Sequence, residues 1–292
     1  MSLNAAVAED SVASARSRPL KVFCEPSFSL RQLIRDFAGL WDYRDLIYSL
    51  SIFRIKVRYK QSLLGVSWAI LQPVSLMLIY TVVFSVVARM PSEHLPYAVF
   101  TYAALLPWLY FSAGLTGATT GISSNAQFVT KVYFPREILP ISYVVASLFD
   151  FFVGSSLLAG LMLYYRVPLT RDAFYALPIL VVLTVFTLAV ALLLSATQVW
   201  FRDFGIAMPL LMQLWMFASP VVYPLSAVPA KFRGWYILNP MVGVVENLRR
   251  VMLQGLPLDW HSFSVSASAS FILLPACYLY FRRIAATMAD VV

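Results

Sequence analysis

The stretch FYALPILVVLTVFTLAVALLLSATQ, residues 174–198, contains no Asp, Glu, Lys or Arg. A helix of that length is about 37 Å long, more than the roughly 30 Å hydrocarbon core of a bilayer. So long an uncharged run reads as a membrane span. The rest of the chain agrees. Of its 292 residues, 60% are hydrophobic and only 12% are charged, against about a quarter charged in soluble domains. Apolar length marks five more candidate spans, at 67–88, 98–120, 141–164, 206–223 and 264–281. The span 206–223 is the weakest, because Pro209 and Pro220 fall within it. The fold class is therefore an all-α membrane protein with six transmembrane helices.

The cations orient these spans. With the N-terminus inside, fifteen Lys and Arg fall on the cytoplasmic side and seven outside, as the positive-inside rule requires. This explains the net charge of +8 without nucleic acid, for which no binding motif is present. The first 20 residues have no apolar core segment, so no signal peptide is expected and residues 1–20 read as a disordered cytoplasmic tail. Cys24 and Cys277 allow neither a disulfide framework nor a zinc site by themselves.

Residues 21–66 form a cytoplasmic interface segment. Ser29 and Gln32 suit a capping box, and Leu30, Leu33, Ile34, Phe37, Leu40 and Trp41 recur at helical spacing. A basic amphipathic helix of this kind lies on the inner leaflet. RIKVRYKQ, residues 54–61, then stops the chain at the headgroups. Near the other end, NPMVGVVENLRRVMLQG, residues 239–255, can form a helix opening at Pro240 and stopped by Gly255. Its apolar face is Met241, Val244, Val245, Leu248, Val251 and Met252. Glu246, Arg249 and Arg250 make it too polar to span, so it lies at the outer surface or dips into it.

Catalytic patterns are missing. No His pair has metal spacing, no serine sits in a nucleophile elbow, and no glycine is followed by lysine, so there is no phosphate-binding loop. The energy for any work comes from elsewhere.

One cytoplasmic loop stands out. In SSNAQFVTKVYFPREILP, residues 123–140, a short helix can run from about Asn125 to Tyr133, with Pro135 and Pro140 interrupting before the third span. Phe128, Val132 and Phe134 could enter a partner's cleft while Lys131, Arg136 and Glu137 pair around it. An ordinary polar turn anchoring two spans is equally open from the residues.

The chain resembles the permease subunits of ATP-binding-cassette exporters of the type-2 class, in the branch exporting O-antigen, capsule and teichoic acid. RYKQSLLGVSWAILQP (58–73), LPYAVFTYAALLPWLYFS (95–112), KVYFPREILP (131–140), LWMFASPVVYPLSAVP (214–229) and NPMVGVVENLRR (239–250) carry the resemblance. It implies a homodimer with two ATPase subunits that bind ATP and Mg, and no cofactor or metal on this chain. The substrate would be a lipid-linked polysaccharide, the chain would not be an enzyme, and it would sit in the bacterial inner membrane with both termini cytoplasmic. The permease domain would cover 67–283, with a coupling segment at 121–140 and an outer gate loop at 224–263, followed by a tail at 284–292. Asn125, Gln127, Phe128, Lys131, Tyr133, Phe134, Arg136 and Glu137 would form the ATPase-coupling contact. Pro220, Tyr223, Asn239, Glu246 and Arg249 would belong to re-entrant outer gate helices.

Sugar rings stack on aromatic planes, so Trp68, Gln72, Tyr80 and Phe84, recurring at multiples of four residues, and Trp108, Tyr110 and Phe111 are candidate channel residues. Interfacial belts or packing explain the same aromatics. Asp150, near mid-bilayer, is a functional candidate or a carboxylate paired with neighbouring spans. Gly117 and Gly121 suit packing within the subunit or a dimer seam. The rival readings are a type-2 exporter of a drug or simple lipid, and an ion-coupled secondary transporter.

Overall fold

A computed structural model describes residues 39–60, 62–92, 95–132, 134–285 and 288. The tail 1–20, most of the amphipathic stretch 29–41, Tyr133 and most of the tail 284–292 lie outside the described residues. Ten α-helices account for most of those that are described, and we number them in chain order: α1 Arg44–Tyr59, α2 Trp68–Tyr80, α3 Tyr97–Gly121, α4 Ala126–Lys131, α5 Ile138–Tyr164, α6 Ala176–Trp200, α7 Asp203–Phe217, α8 Ala230–Ile237, α9 Pro240–Arg249 and α10 Trp260–Ala285.

Among the described residues, five helical stretches are long and apolar enough to cross a membrane: Gly65–Val87, Tyr97–Gly121, Ile138–Tyr164, Arg171–Trp200 and Trp260–Ala285. The expected span 206–223 is instead the 15-residue α7, about 22 Å long. Its helix runs through Pro209 and stops before Pro220. A proline disfavours helical backbone at the residue before it, here Ser219. Pro140 behaves differently from expectation. It lies in the first turn of α5, where a helix has no intrahelical use for the missing N–H.

The bundle is organised on α3, which packs against α2, α5, α6, α7 and α9. Its most apolar window is 78% buried, against 11% for Gly65–Val87. The sequence of α3 explains this position, since small residues let other helices approach closely. A Cβ on Gly117 or Gly121 would come within 2.6 or 2.5 Å of the Tyr143 ring on α5. These two glycines therefore serve packing inside the subunit. α10 packs chiefly along α6.

The helix α1 was not anticipated as a unit. It lies against α5, with Ser51, Arg54 and Arg58 on the contacting face at helical spacing. Arg54 Nε donates to Ser142 Oγ at 2.8 Å and its guanidinium sits 3.4 Å over the Tyr143 ring. Burial lowers the Arg54 pKa, and the nearby Tyr143 opposes that shift.

Candidate functional site

Three clusters bring together most of the residues singled out above. The first is a cleft of about 480 Å³ between α1, α2, α3 and α5. Trp68, Gln72, Tyr110 and Asp150 line it, together with Arg58, Tyr59 and Ser62. Asp150 is ion-paired with Arg58 and accepts a hydrogen bond of 2.6 Å from the Tyr59 hydroxyl. Partial burial and that bond raise the Tyr59 pKa to about 12. Asp150 is thus a paired carboxylate, and its partners come from the segment before the first span.

The remaining channel candidates lie elsewhere. A four-residue step turns a helix by about 40° beyond a full turn, so the stripe on α2 winds out of the cleft. Tyr80 and Phe84 make an edge contact at 6.1 Å, and the Tyr80 hydroxyl meets Met216 Sδ at 3.5 Å. Trp108 and Phe111 are buried in the core. Phe111 stacks on Phe186 at 5.3 Å and meets Trp215 edge-on at 5.0 Å. Within the subunit these two do not line an open path, because α6 and α7 cover the face of α3 that carries them.

The second cluster surrounds the break after α7. Residues 218–223 leave helical geometry although Ser219, Val221 and Val222 are fully buried. Non-helical backbone at such depth requires partners for its carbonyls, and every carbonyl from Phe217 to Tyr223 has one. Tyr223 donates to Phe217 O at 2.6 Å, Asn239 to Ala218 O at 3.2 Å, and Val221 N to Ser219 O at 2.7 Å. Tyr97 donates to Val222 O. Arg249 supplies the remaining three, reaching Pro220 O at 2.7 Å, Val221 O at 2.5 Å and Tyr223 O at 3.3 Å.

Arg249 is fully buried. It also donates to Phe100 O at 3.1 Å, with its guanidinium 3.7 Å over the Phe100 ring. Sequence spacing marks Arg249 only as a charge that keeps 239–255 from spanning; the fold encloses it. α9 is enclosed by α3, α6 and α10, so both of its faces need partners. The helix opens at Pro240 as expected, and Asn239 caps it: its Oδ1 accepts from Met241 N and Trp215 Nε1, each at 3.2 Å. Asn239 Nδ2 reaches Ser219 Oγ at 2.9 Å. Glu246 is half-buried on the same helix. Gly243 permits the contact with α10, because a Cβ there would collide with Ser266 Oγ and Ser262 O. Asn247 secures that seam through Ser262 Oγ at 2.9 Å and Asp259 N at 2.7 Å. These partners could not be read from spacing, since they come from α3, α7, α10 and the broken segment itself.

The third cluster is the loop at 121–140. α4 turns Val129 into a small core with Ile122, Ile138, Leu139, Leu192, Val199 and Phe281. Gln127, Phe128, Lys131 and Val132 face outward, Phe128 being 52% exposed. The remaining coupling candidates split from these. Asn125 Nδ2 caps the end of α3 through Gly121 O at 2.7 Å. Glu137 is buried and paired with Arg282 at 3.6 Å, while Phe134 and Arg136 are half-buried. Glu137 is therefore an internal anchor to α10, where the sequence suggested an outward charge.

This geometry defines a class: a multi-pass helical membrane protein with a polar cleft, a broken segment braced at depth and an exposed helical elbow. The chain belongs to the ABC-2 type transporter family, whose profile matches residues 45–253. It is 38% identical over 172 residues to the O-antigen export system permease protein RfbA of Myxococcus xanthus, spanning 59% of this chain and 65% of that protein. It is 25% identical over 248 residues to a protein of the same name from Klebsiella pneumoniae, spanning 85% and 95%. A further Klebsiella pneumoniae protein of that name is 28% identical over 160 residues, spanning 54% and 61%.

Proposed function

We propose that this chain is the membrane-embedded subunit of an exporter that carries a lipid-linked, O-antigen-like polysaccharide across the bacterial inner membrane. The observation that carries this reading is the similarity to an O-antigen export permease over 85% of this chain and 95% of that relative. In this reading the chain has no catalytic site. ATP and Mg²⁺ belong to a separate ATPase subunit, and two copies of each subunit assemble with the path between the permeases. Both termini are cytoplasmic, and α7 with the braced segment 217–223 completes the sixth crossing.

The residues then divide by task. Gln127, Phe128, Lys131 and Val132 present an apolar and cationic tip to the ATPase. α4 shares a core with the ends of α5, α6 and α10, so force on its tip moves those ends as a body rather than bending a loop. Trp68, Gln72 and Asp150 offer the sugar chain a flat face and hydrogen bonds. Arg249 and Asn239 fix the outer gate segment in one conformation until α9 shifts.

Purification of the tagged chain from its own host tests the assembly. An ATPase subunit recovered in equal amount is expected. Recovery of the folded chain with no ATPase under gentle extraction would remove the basis of the proposal.

A further inference from the structure

A second cleft, of about 520 Å³, lies on a different side of α5 from the polar one, between α3, α5, α6 and α9. Its volume is within the roughly 300–1,000 Å³ of ligand pockets. Leu106, Phe151, Met162, Leu180, Leu248 and Met252 are among its walls. Ser155 brings the one hydroxyl to the lining, and that group is already used, donating to Phe151 O at 2.8 Å. A buried water needs two to four polar partners, and a sugar needs more, so neither is at home here. A hydrocarbon chain loses nothing by entering.

The mouth of the cleft says what the chain is attached to. Where the lining passes from α5 to α6 it runs through Val167, Leu169 and Ala176. Arg166 precedes the first of these, and Arg171 lies between the last two. Both arginines are exposed. Around them stand the exposed Tyr164, Tyr165, Phe174 and Trp260, with Tyr164 and Tyr165 in edge contact at 4.9 Å and Tyr175 against Trp260 at 6.2 Å. Clustered Tyr and Trp at the ends of spans mark the headgroup level of a bilayer. Two cations at that level, above an apolar slot, complement an anionic headgroup with its acyl chain below.

We infer that this cleft is a binding site for an anionic glycerophospholipid of the surrounding membrane, one acyl chain lying in the slot and the phosphate meeting Arg166 and Arg171. The slot adjoins the polar cleft, sharing Leu106 and Phe151 as walls, but its apolar lining takes an acyl chain where the other takes polar groups. It abuts α9 on a different side from Arg249: Val244 and Leu248 line it, with Met252 just beyond the end of the helix. A bound lipid therefore supports the helix that braces the segment 217–223.

The full-length chain is purified in mild detergent, exchanged into nanodiscs of phosphatidylglycerol and phosphatidylcholine with identical acyl chains, and examined by native mass spectrometry after release. One retained phosphatidylglycerol per chain is expected. Ala159→Trp, on the exposed edge of the slot, should reduce its retention at least about tenfold. The pair Arg166→Gln and Arg171→Gln should keep a lipid but lose most of a roughly tenfold preference for phosphatidylglycerol, since each cation near a membrane surface contributes modestly. Undiminished retention in Ala159→Trp would overturn the inference, as would equal retention of both lipids by the wild type. A retained polymer carrier in place of phospholipid would assign the slot to substrate and overturn it as well. No transport is measured, so the result stands apart from the export assignment.

Discussion

Arg58 and Asp150, 92 residues apart, are ion-paired across the polar cleft, and Tyr59 donates to the same carboxylate. The pair ties the segment before the first span to the middle of α5. A charge taken into a bilayer is costly unless matched, and here the chain matches it with its own preceding helix. The pair is half-exposed, so each single change, Arg58→Ala or Asp150→Asn, should cost about 1–3 kcal/mol of stability. The double variant should cost clearly less than their sum, which a thermal-unfolding cycle in detergent can read. Strict additivity would show that the two groups do not support each other.

Arg249 should tolerate no substitution. Lysine keeps the charge but offers one compact donor head where a planar fork now serves four carbonyls. Arg249→Lys is expected to lose several kcal/mol through orphaned carbonyls. Protease should then cut within 217–230 in membranes opened to it. Wild-type resistance in this variant would mean that the segment is held by other contacts.

The tip of α4 should be dispensable for folding and essential for coupling. Phe128→Asp and Lys131→Glu change exposed side chains, which usually moves stability by no more than about 0.5 kcal/mol. Both should leave expression and melting unchanged while weakening ATPase co-purification at least tenfold. Glu137→Gln should instead lower the melting temperature, because it removes the anchor to Arg282.

Asp259 precedes α10 and accepts from His261 N at 3.2 Å. Partial burial alone would raise its pKa, but hydrogen bonds from Ser262 and from the backbone of His261 and Ser262 outweigh burial and hold it below the usual carboxylate value. A depressed folded pKa gives stability that is present above the unfolded value and lost as pH falls through the folded one. Asp259→Ala should cost about 1 kcal/mol near neutrality, the usual worth of such a cap. That difference should shrink below about pH 4, as melting curves across pH would record.

The spans were legible because a bilayer imposes length and apolarity on contiguous sequence, as in residues 174–198. The start of α9 at Pro240 was legible for a similar reason, since its signal is local. The fifth span was misjudged in extent: composition cannot distinguish an apolar helix from an apolar broken segment whose carbonyls are met from afar. Arg249 shows the limit most plainly. Its charge reads from the sequence only as a bar to spanning, and the fold alone reveals the carbonyls of Pro220, Val221, Tyr223 and Phe100 that it meets. Trp108 and Phe111 fail for the opposite reason. Aromatic type marks them as sugar-stacking candidates, but Phe186 and Trp215, far along the chain, claim their faces.

The aromatic division yields its own expectation. Trp68→Leu should reduce export with assembly intact, because a sugar loses its stacking surface, whereas Tyr110, 2% exposed, belongs with the core. Phe111→Leu should lower stability by about 1–2 kcal/mol and reduce export only in proportion to the folded protein that remains. Export per assembled transporter separates the two; equal losses for Trp68→Leu and Phe111→Leu would return Trp68 to packing.

The most direct measurement is surface polysaccharide in the host after deletion of this chain, read with an impermeant lectin or antibody on intact cells and again on broken ones. Export by this chain predicts that the surface signal disappears while lipid-linked polymer accumulates inside, and that the intact chain supplied in trans restores the surface signal. Undiminished surface polymer in the deletion strain would contradict the assignment.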